Sequence, residues 1–350
     1  MAFSADDMGD DGAADAPAAG VIPRRDSRGF IAALADDGRP LISLTGVSLG
    51  LSGAFALFQS ATGHFLPHDT EFLQMSPQDL CSINECRIVH FMIHDRVSFG
   101  GSLLAIAALY LWLAAFPLRA REAWAWWTLC LSGIVGFGSF LTYLGYGYLD
   151  TWHGAATLVL LPCFLAGLVL TRRAILAQAA TTGVDVSWRT LLHPGCATPW
   201  QSRAGAGRAC LLLAALGMIG AGLTIQTIGM TQVFVDTDLE FMGLDRAQIQ
   251  AVNLRLIPLI AHDRAGFGGG VATAGIMLFA CVWCARPSRS LWQMLFLAGA
   301  AGWSTSVGIH PAIGYTDTLH LTPAVGGTVL FFTGLALARS SMYGDSYVDA

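Results

Sequence analysis

Apolar and polar stretches alternate along the chain at a spacing of about one membrane crossing. Apolar runs occupy residues 41–60, 97–116, 123–144, 153–171, 207–227, 265–284, 291–310 and 321–338. Each is close to the ~20 residues a helix needs to cross a ~30 Å hydrocarbon layer. Helices satisfy their own backbone hydrogen bonds in that layer, so the pattern predicts eight transmembrane helices and an all-α integral membrane protein.

The polar stretches between the runs recur as a set. Asn84 to Gly101 contains His94-Asp95-Arg96, and Asn253 to Gly269 contains His262-Asp263-Arg264. Upstream stand Asp69-Thr-Glu71-Phe72 and Asp238-Leu-Glu240-Phe241. Downstream stand Gly147-Tyr-Leu-Asp-Thr-Trp-His153 and Gly314-Tyr-Thr-Asp-Thr-Leu-His320. The offset drifts only from 169 to 167 residues, as a tandem duplication with small indels would leave it. Four runs per copy keep both copies in one orientation, giving two parallel four-helix repeats. The predicted organisation is a disordered tail at 1–40, repeat one at 41–171, a linker at 172–206, repeat two at 207–338 and a second tail at 339–350.

Composition agrees with a membrane class: 54% of residues are hydrophobic, 12% are charged and the mean hydropathy is +0.56. The chain carries no lysine, so orientation rests on its 19 arginines. With the N-terminus inside, fourteen fall in cytoplasmic segments and five outside. Both termini are therefore expected in the cytoplasm of a plasma membrane, in a bacterium the cell inner membrane. Eight of the nine histidines then map to the outer side, with the repeated acids. Trp112, Trp124, Trp126 and Trp127 fall near the inner rim. The linker, with its basic Arg172-Arg173 start, reads as an irregular connector touching anionic lipid. Sparse basic residues argue against nucleic acid as a partner.

In the outer loops, Ser76-Pro-Gln-Asp79 and Asp245-Arg-Ala-Gln248 are capping boxes, so short helices should begin near Pro77 and Arg246. Such a helix could run on through His-Asp-Arg, stacking Arg87, His90 and His94, or break there and restart. A continuous helix over 77–94 would set Cys81 and Cys86 on different sides and oppose a disulfide. The Gly100-Gly101 and Gly268-Gly269 pairs suit close helix approach rather than phosphate binding. Cys281-Val-Trp-Cys284 lies in an apolar run and reads as packing.

Two chemistries fit the repeated polar set. Asp69, Glu71, His94 and His153, with Asp238, Glu240, His262 and His320, are candidate ligands for a divalent metal. Glu71, His94, Asp95, Arg96, His153, Glu240, His262, Asp263, Arg264 and His320 could equally serve acid–base catalysis, with arginine holding an anionic head group. Each residue also has a structural reading. Asp150 and Asp317 cap helices, and Arg96 and Arg264 anchor spans. The functional expectation is a membrane-embedded enzyme or redox component acting on a lipid-linked or quinone-like substrate among membrane lipids. The alternatives are a proton-coupled transporter and a non-catalytic subunit of a membrane complex.

Overall fold

A computed structural model describes residues 35–343 except 143, 144, 146 and 149. Most of the predicted N-terminal tail, and 344–350 of the C-terminal one, lie outside the described residues. Among the described residues the protein is all-helical, without strands. Twelve α-helices follow in order: α1 Arg39–Thr62, α2 Pro67–Leu73, α3 Pro77–Asn84, α4 Arg87–Ala115, α5 Ala123–Thr142 and α6 Thr151–Thr182, then α7 Arg203–Thr231, α8 Asp236–Met242, α9 Arg246–Val252, α10 Leu256–Cys284, α11 Arg289–Ile313 and α12 Thr318–Tyr343. Seven of the long helices are apolar and long enough to cross a membrane. The eighth, α11, is more polar, carrying Gln293, Ser304, Thr305, Ser306 and His310.

Two long helices form the centre. The most apolar stretch of α4, like that of α10, is 78% buried, against 39% or less in each of the other candidate spans. α4 packs on α1, α11 and α10, and α10 packs on α7, α5 and α4. Glycines set the crossings. A Cβ on Gly53 of α1 would collide with the Gly100 carbonyl of α4, and one on Gly222 of α7 would collide with Gly268 and Ala272 of α10. On the opposite faces, a Cβ on Gly101 would strike Thr305 of α11, and one on Gly269 would strike Ser139 of α5. Backbones approach this closely only where side chains are missing.

The four short helices build a capped layer at the N-terminal end of α4 and α10. Ser76 accepts from Asp79 N (3.2 Å) and Asp79 accepts from Ser76 N (2.9 Å) at the start of α3. Asp245 and Gln248 do the same at α9, both at 2.8 Å. Leu73, Leu80, Val89 and Phe91 pack there with Phe234, Met242, Ile249 and Leu259 in one apolar cluster. Two asparagines lace the layer reciprocally. Asn84 Nδ2 donates to Met242 O (2.9 Å) and Asn253 Nδ2 donates to Leu73 O (2.7 Å), so each occupies the C-terminal carbonyl of the other half's short helix.

The boundaries correct several sequence expectations. The helix that starts at Pro77 neither runs unbroken through His-Asp-Arg nor breaks there. It ends at Asn84, where Glu85 and Cys86 adopt left-handed φ of 55° and 63°, and α4 restarts at Arg87. That break brings Cys81 and Cys86 together in a disulfide. Arg87, exposed beside Glu85 (3.2 Å), opens α4, and His90 and His94 follow on that helix at the spacing of one face. At the start of the linker, Arg172 donates to Val186 O (2.9 Å) and lies over Trp126 and Trp127. α4 and α10 begin well before their apolar runs, so His-Asp-Arg falls inside both helices rather than at their mouths, and α6 runs on past residue 171 to Thr182, into the stretch expected to be linker.

Candidate functional site

Side chains that are far apart in sequence meet in two polar centres toward the N-terminal end of α4 and α10. Each centre draws residues from both halves of the chain.

The first gathers His94 of α4, His310 near the end of α11 and His320 in the first turn of α12, with one ring nitrogen of each within 4.8 Å of the others. His94 Nε2 stands 3.1 Å from His310 Nε2. His94 Nδ1 faces Asp95 Oδ1 at 2.9 Å, which directs the Nε2 lone pair into the centre. Tyr315 donates its hydroxyl to Asp238 Oδ1 (2.9 Å), so its oxygen is left to accept from His320 Nδ1 (3.1 Å). Arg264 closes the ring, donating from Nε to Asp95 (3.3 Å) and from Nη1 to Asp238 (2.6 Å).

The second centre is built the same way from corresponding positions. His262 Nδ1 faces Asp263 Oδ1 at 3.1 Å. Arg96 donates from Nε to Asp263 (2.9 Å) and from Nη1 to Asp69 (2.8 Å), and Tyr148 donates to Asp69. His153 Nδ1 lies 3.1 Å from His262 Nε2 and 3.0 Å from Asp150 Oδ2. His68, 3.1 Å from Asp150 Oδ1, completes the ring.

The arginines cross between the halves, each binding its own half's Asp69 or Asp238 and the other half's Asp263 or Asp95. Asp95, Asp238 and Arg264 are all buried, so their charges are stable only as a set. Burial opposes a charge on Asp69, but the Arg96 guanidinium, the Tyr148 hydroxyl and His68 outweigh it and hold its carboxyl below the usual range. Burial also opposes a charge on Asp150, yet His153 and His262 hold that carboxyl well below the usual range. Burial and a neighbouring carboxylate push both tyrosines up, Tyr148 beside Asp69 and Tyr315 beside Asp238, which keeps each a hydrogen-bond donor.

A cavity adjoins each centre. The larger, of about 660 Å³, has His94, Arg264, His310 and His320 at its polar end and passes Leu109, Leu213, Leu278 and Phe331. From His94 to Leu109 along α4 is on the order of 20 Å, so it reaches well into the hydrocarbon depth. The smaller, of about 490 Å³, lies between α1, α4 and α6 against Arg96, Asp150, His153 and Asp263.

Of the sequence candidates, the structure brings together His94, Asp95, Arg96, His153, His262, Asp263, Arg264 and His320, with Asp69 and Asp238 behind them. Glu71 and Glu240 are exposed and stand outside both groups. His310 was missed as a site residue because the repeat sets no histidine against it. Asp150, Tyr148 and Tyr315 stand at repeated positions of the sequence, where Asp150 reads as a helix cap. Asp150 does both jobs: Oδ1 caps α6 at Trp152 N (2.8 Å) and His153 N (3.1 Å), and Oδ2 faces the centre.

The fold and the two centres define a class: a helical protein built for a membrane, with paired His–Asp–Arg centres at one end of its long helices. Compared with known protein families, characterised proteins and solved structures, the chain matches none.

Proposed function

We propose that the chain is a membrane-embedded enzyme or redox component that holds a divalent transition metal on His94, His310 and His320 and acts on a lipid-soluble, quinone-like or lipid-linked substrate. The observation that carries this reading is the convergence of three imidazoles on the polar end of a long apolar cavity. Nitrogens on one tetrahedral zinc-sized ion, bound at about 2.0–2.1 Å, stand roughly 3.3 Å apart. The His94–His310 separation of 3.1 Å is close to that. Asp95 and Tyr315 orient two of the rings as outer partners of a metal site do. The cavity takes the tail of a substrate, and Arg264 faces its polar head.

In this reading α11 is the eighth span, the two halves are parallel repeats, and both termini lie in the cytoplasm of a plasma membrane. The matched glycine crossings and the reciprocal Asn84 and Asn253 bonds support the repeat. The Cys81–Cys86 disulfide supports placing the short helices outside, where thiols oxidise.

The test is the metal content and visible spectrum of the detergent-purified chain beside His94→Ala and His310→Ala. A metal near one equivalent at this centre, lost in both variants with the folded state intact, is expected; unchanged metal in both, or none in the wild type, defeats the reading. A proton-coupled transporter is the second reading, favoured by the buried carboxylate–arginine–carboxylate lines across α4 and α10. Solute uptake that collapses with the proton gradient, from protein free of metal, would select it.

A further inference from the structure

We infer that Asp150, His153 and His262 form a second divalent-metal site, a two-histidine, one-carboxylate centre with its own cavity and a donor set unlike that of the three-histidine centre. It stands whether or not the first centre holds metal.

The three ligand atoms lie within 4.8 Å of one another. His153 Nδ1 is the hub, 3.0 Å from Asp150 Oδ2 and 3.1 Å from His262 Nε2, separations that ligands on one small ion adopt. The site is built rather than incidental. Asp150 and His262 are buried, at 5% and 4% exposure, while His153 is partly open. His262 Nδ1 is turned to Asp263, which Arg96 fixes at 2.9 Å. A carboxylate behind a histidine is the outer-shell arrangement that fixes ring orientation and raises ligand basicity. The Tyr148 ring stands edge-on to His262, with centroids 5.1 Å apart, and limits its rotation.

Donor chemistry separates the two centres. Three imidazoles suit zinc or copper, whereas two histidines and a carboxylate, leaving coordination positions open, suit manganese or iron(II). Here the open side faces the 490 Å³ cavity, whose lining includes Phe55 and Phe99. A small ligand entering between α1 and α6 would meet the ion there.

The full chain, purified in detergent and stripped with a chelator, is titrated with Mn²⁺, and free Mn²⁺ is read by electron paramagnetic resonance. Using His310→Ala as the background silences the three-histidine centre. About one equivalent of Mn²⁺ should bind in that background, and adding Asp150→Asn or His153→Ala should weaken it at least tenfold. Asparagine caps a helix as well as aspartate does, so Asp150→Asn removes the ligand charge without removing the α6 cap. Unfolding temperatures within a few degrees of the background confirm that comparison. No Mn²⁺ in the His310→Ala background, or equal binding after Asp150→Asn and His153→Ala, means a hydrogen-bonded cluster only and overturns the assignment. Loss of the three-histidine reading shows separately, as metal content indifferent to His310→Ala.

Discussion

Arg264 has two carboxylates and almost no water. Replacing it with methionine keeps much of the volume but leaves Asp95 and Asp238 facing each other uncompensated. Breaking a buried pair this way costs about 3–5 kcal/mol. Arg264→Met should therefore lower the unfolding temperature sharply, and adding Asp95→Asn should restore part of the loss; no rescue would mean that the ring is not electrostatically coupled. A pH dependence follows from Asp69. Its folded carboxyl is held below the value of about 4 that it has when unfolded. Its contribution is then fully present above pH ~4 and lost as pH falls through the lower, folded value. Chemical denaturation of wild type and Asp69→Asn between pH 7 and 3 should show the gap between them constant down to about pH 5 and closing below about 4. At this scale the sequence was half legible. Repetition marked the His-Asp-Arg triplets, but it marked Glu71 and Glu240 equally. Residues two apart on a helix point ~200° apart, so when Asp69 and Asp238 turn inward the glutamates must turn out. His310 gave no such signal, since only the fold carries it to His94.

Among the elements, the eight apolar runs foretold eight long helices, but not where they start. Hydropathy fades at His-Asp-Arg, yet α4 and α10 continue because each buries that polar turn against the other, charge to charge. The break at Glu85 and Cys86 was equally hidden, for neither residue is a usual left-handed choice. The glycine pairs were read correctly as contact points, and the structure adds their partners. Gly101→Leu should strain the α4–α11 contact at Thr305, and Gly269→Leu the α10–α5 contact at Ser139. Overpacking of this kind costs about 1–3 kcal/mol. In the proposed reading, Gly101→Leu should also displace α11 and lower metal retention on His310, whereas Gly269→Leu should spare it. Equal effects of the two variants would contradict the division of labour between the centres.

Over the whole molecule, the proposed orientation rests on the arginine distribution and on the Cys81–Cys86 disulfide. Reporters fused after residues 180 and 245 should read cytoplasm and exterior respectively. The reverse pattern would turn both centres to the cytoplasm and leave the Cys81–Cys86 bridge in a reducing compartment. Orientation aside, the arginines reach across the molecule, and so do the histidines: His262 meets His153 of the first half, and His94 meets His310 and His320 of the second. Neither half contains a finished centre. Pieces made by cutting the chain between 172 and 206 would each lack a complete centre, and only their reunion would restore one. Two identical pieces, moreover, could only make twin centres. In the proposed reading of a duplicated chain, joining the halves end to end is what allows position 310 to be histidine where the offset of 167 residues sets Tyr143, and so lets the two centres carry different donors.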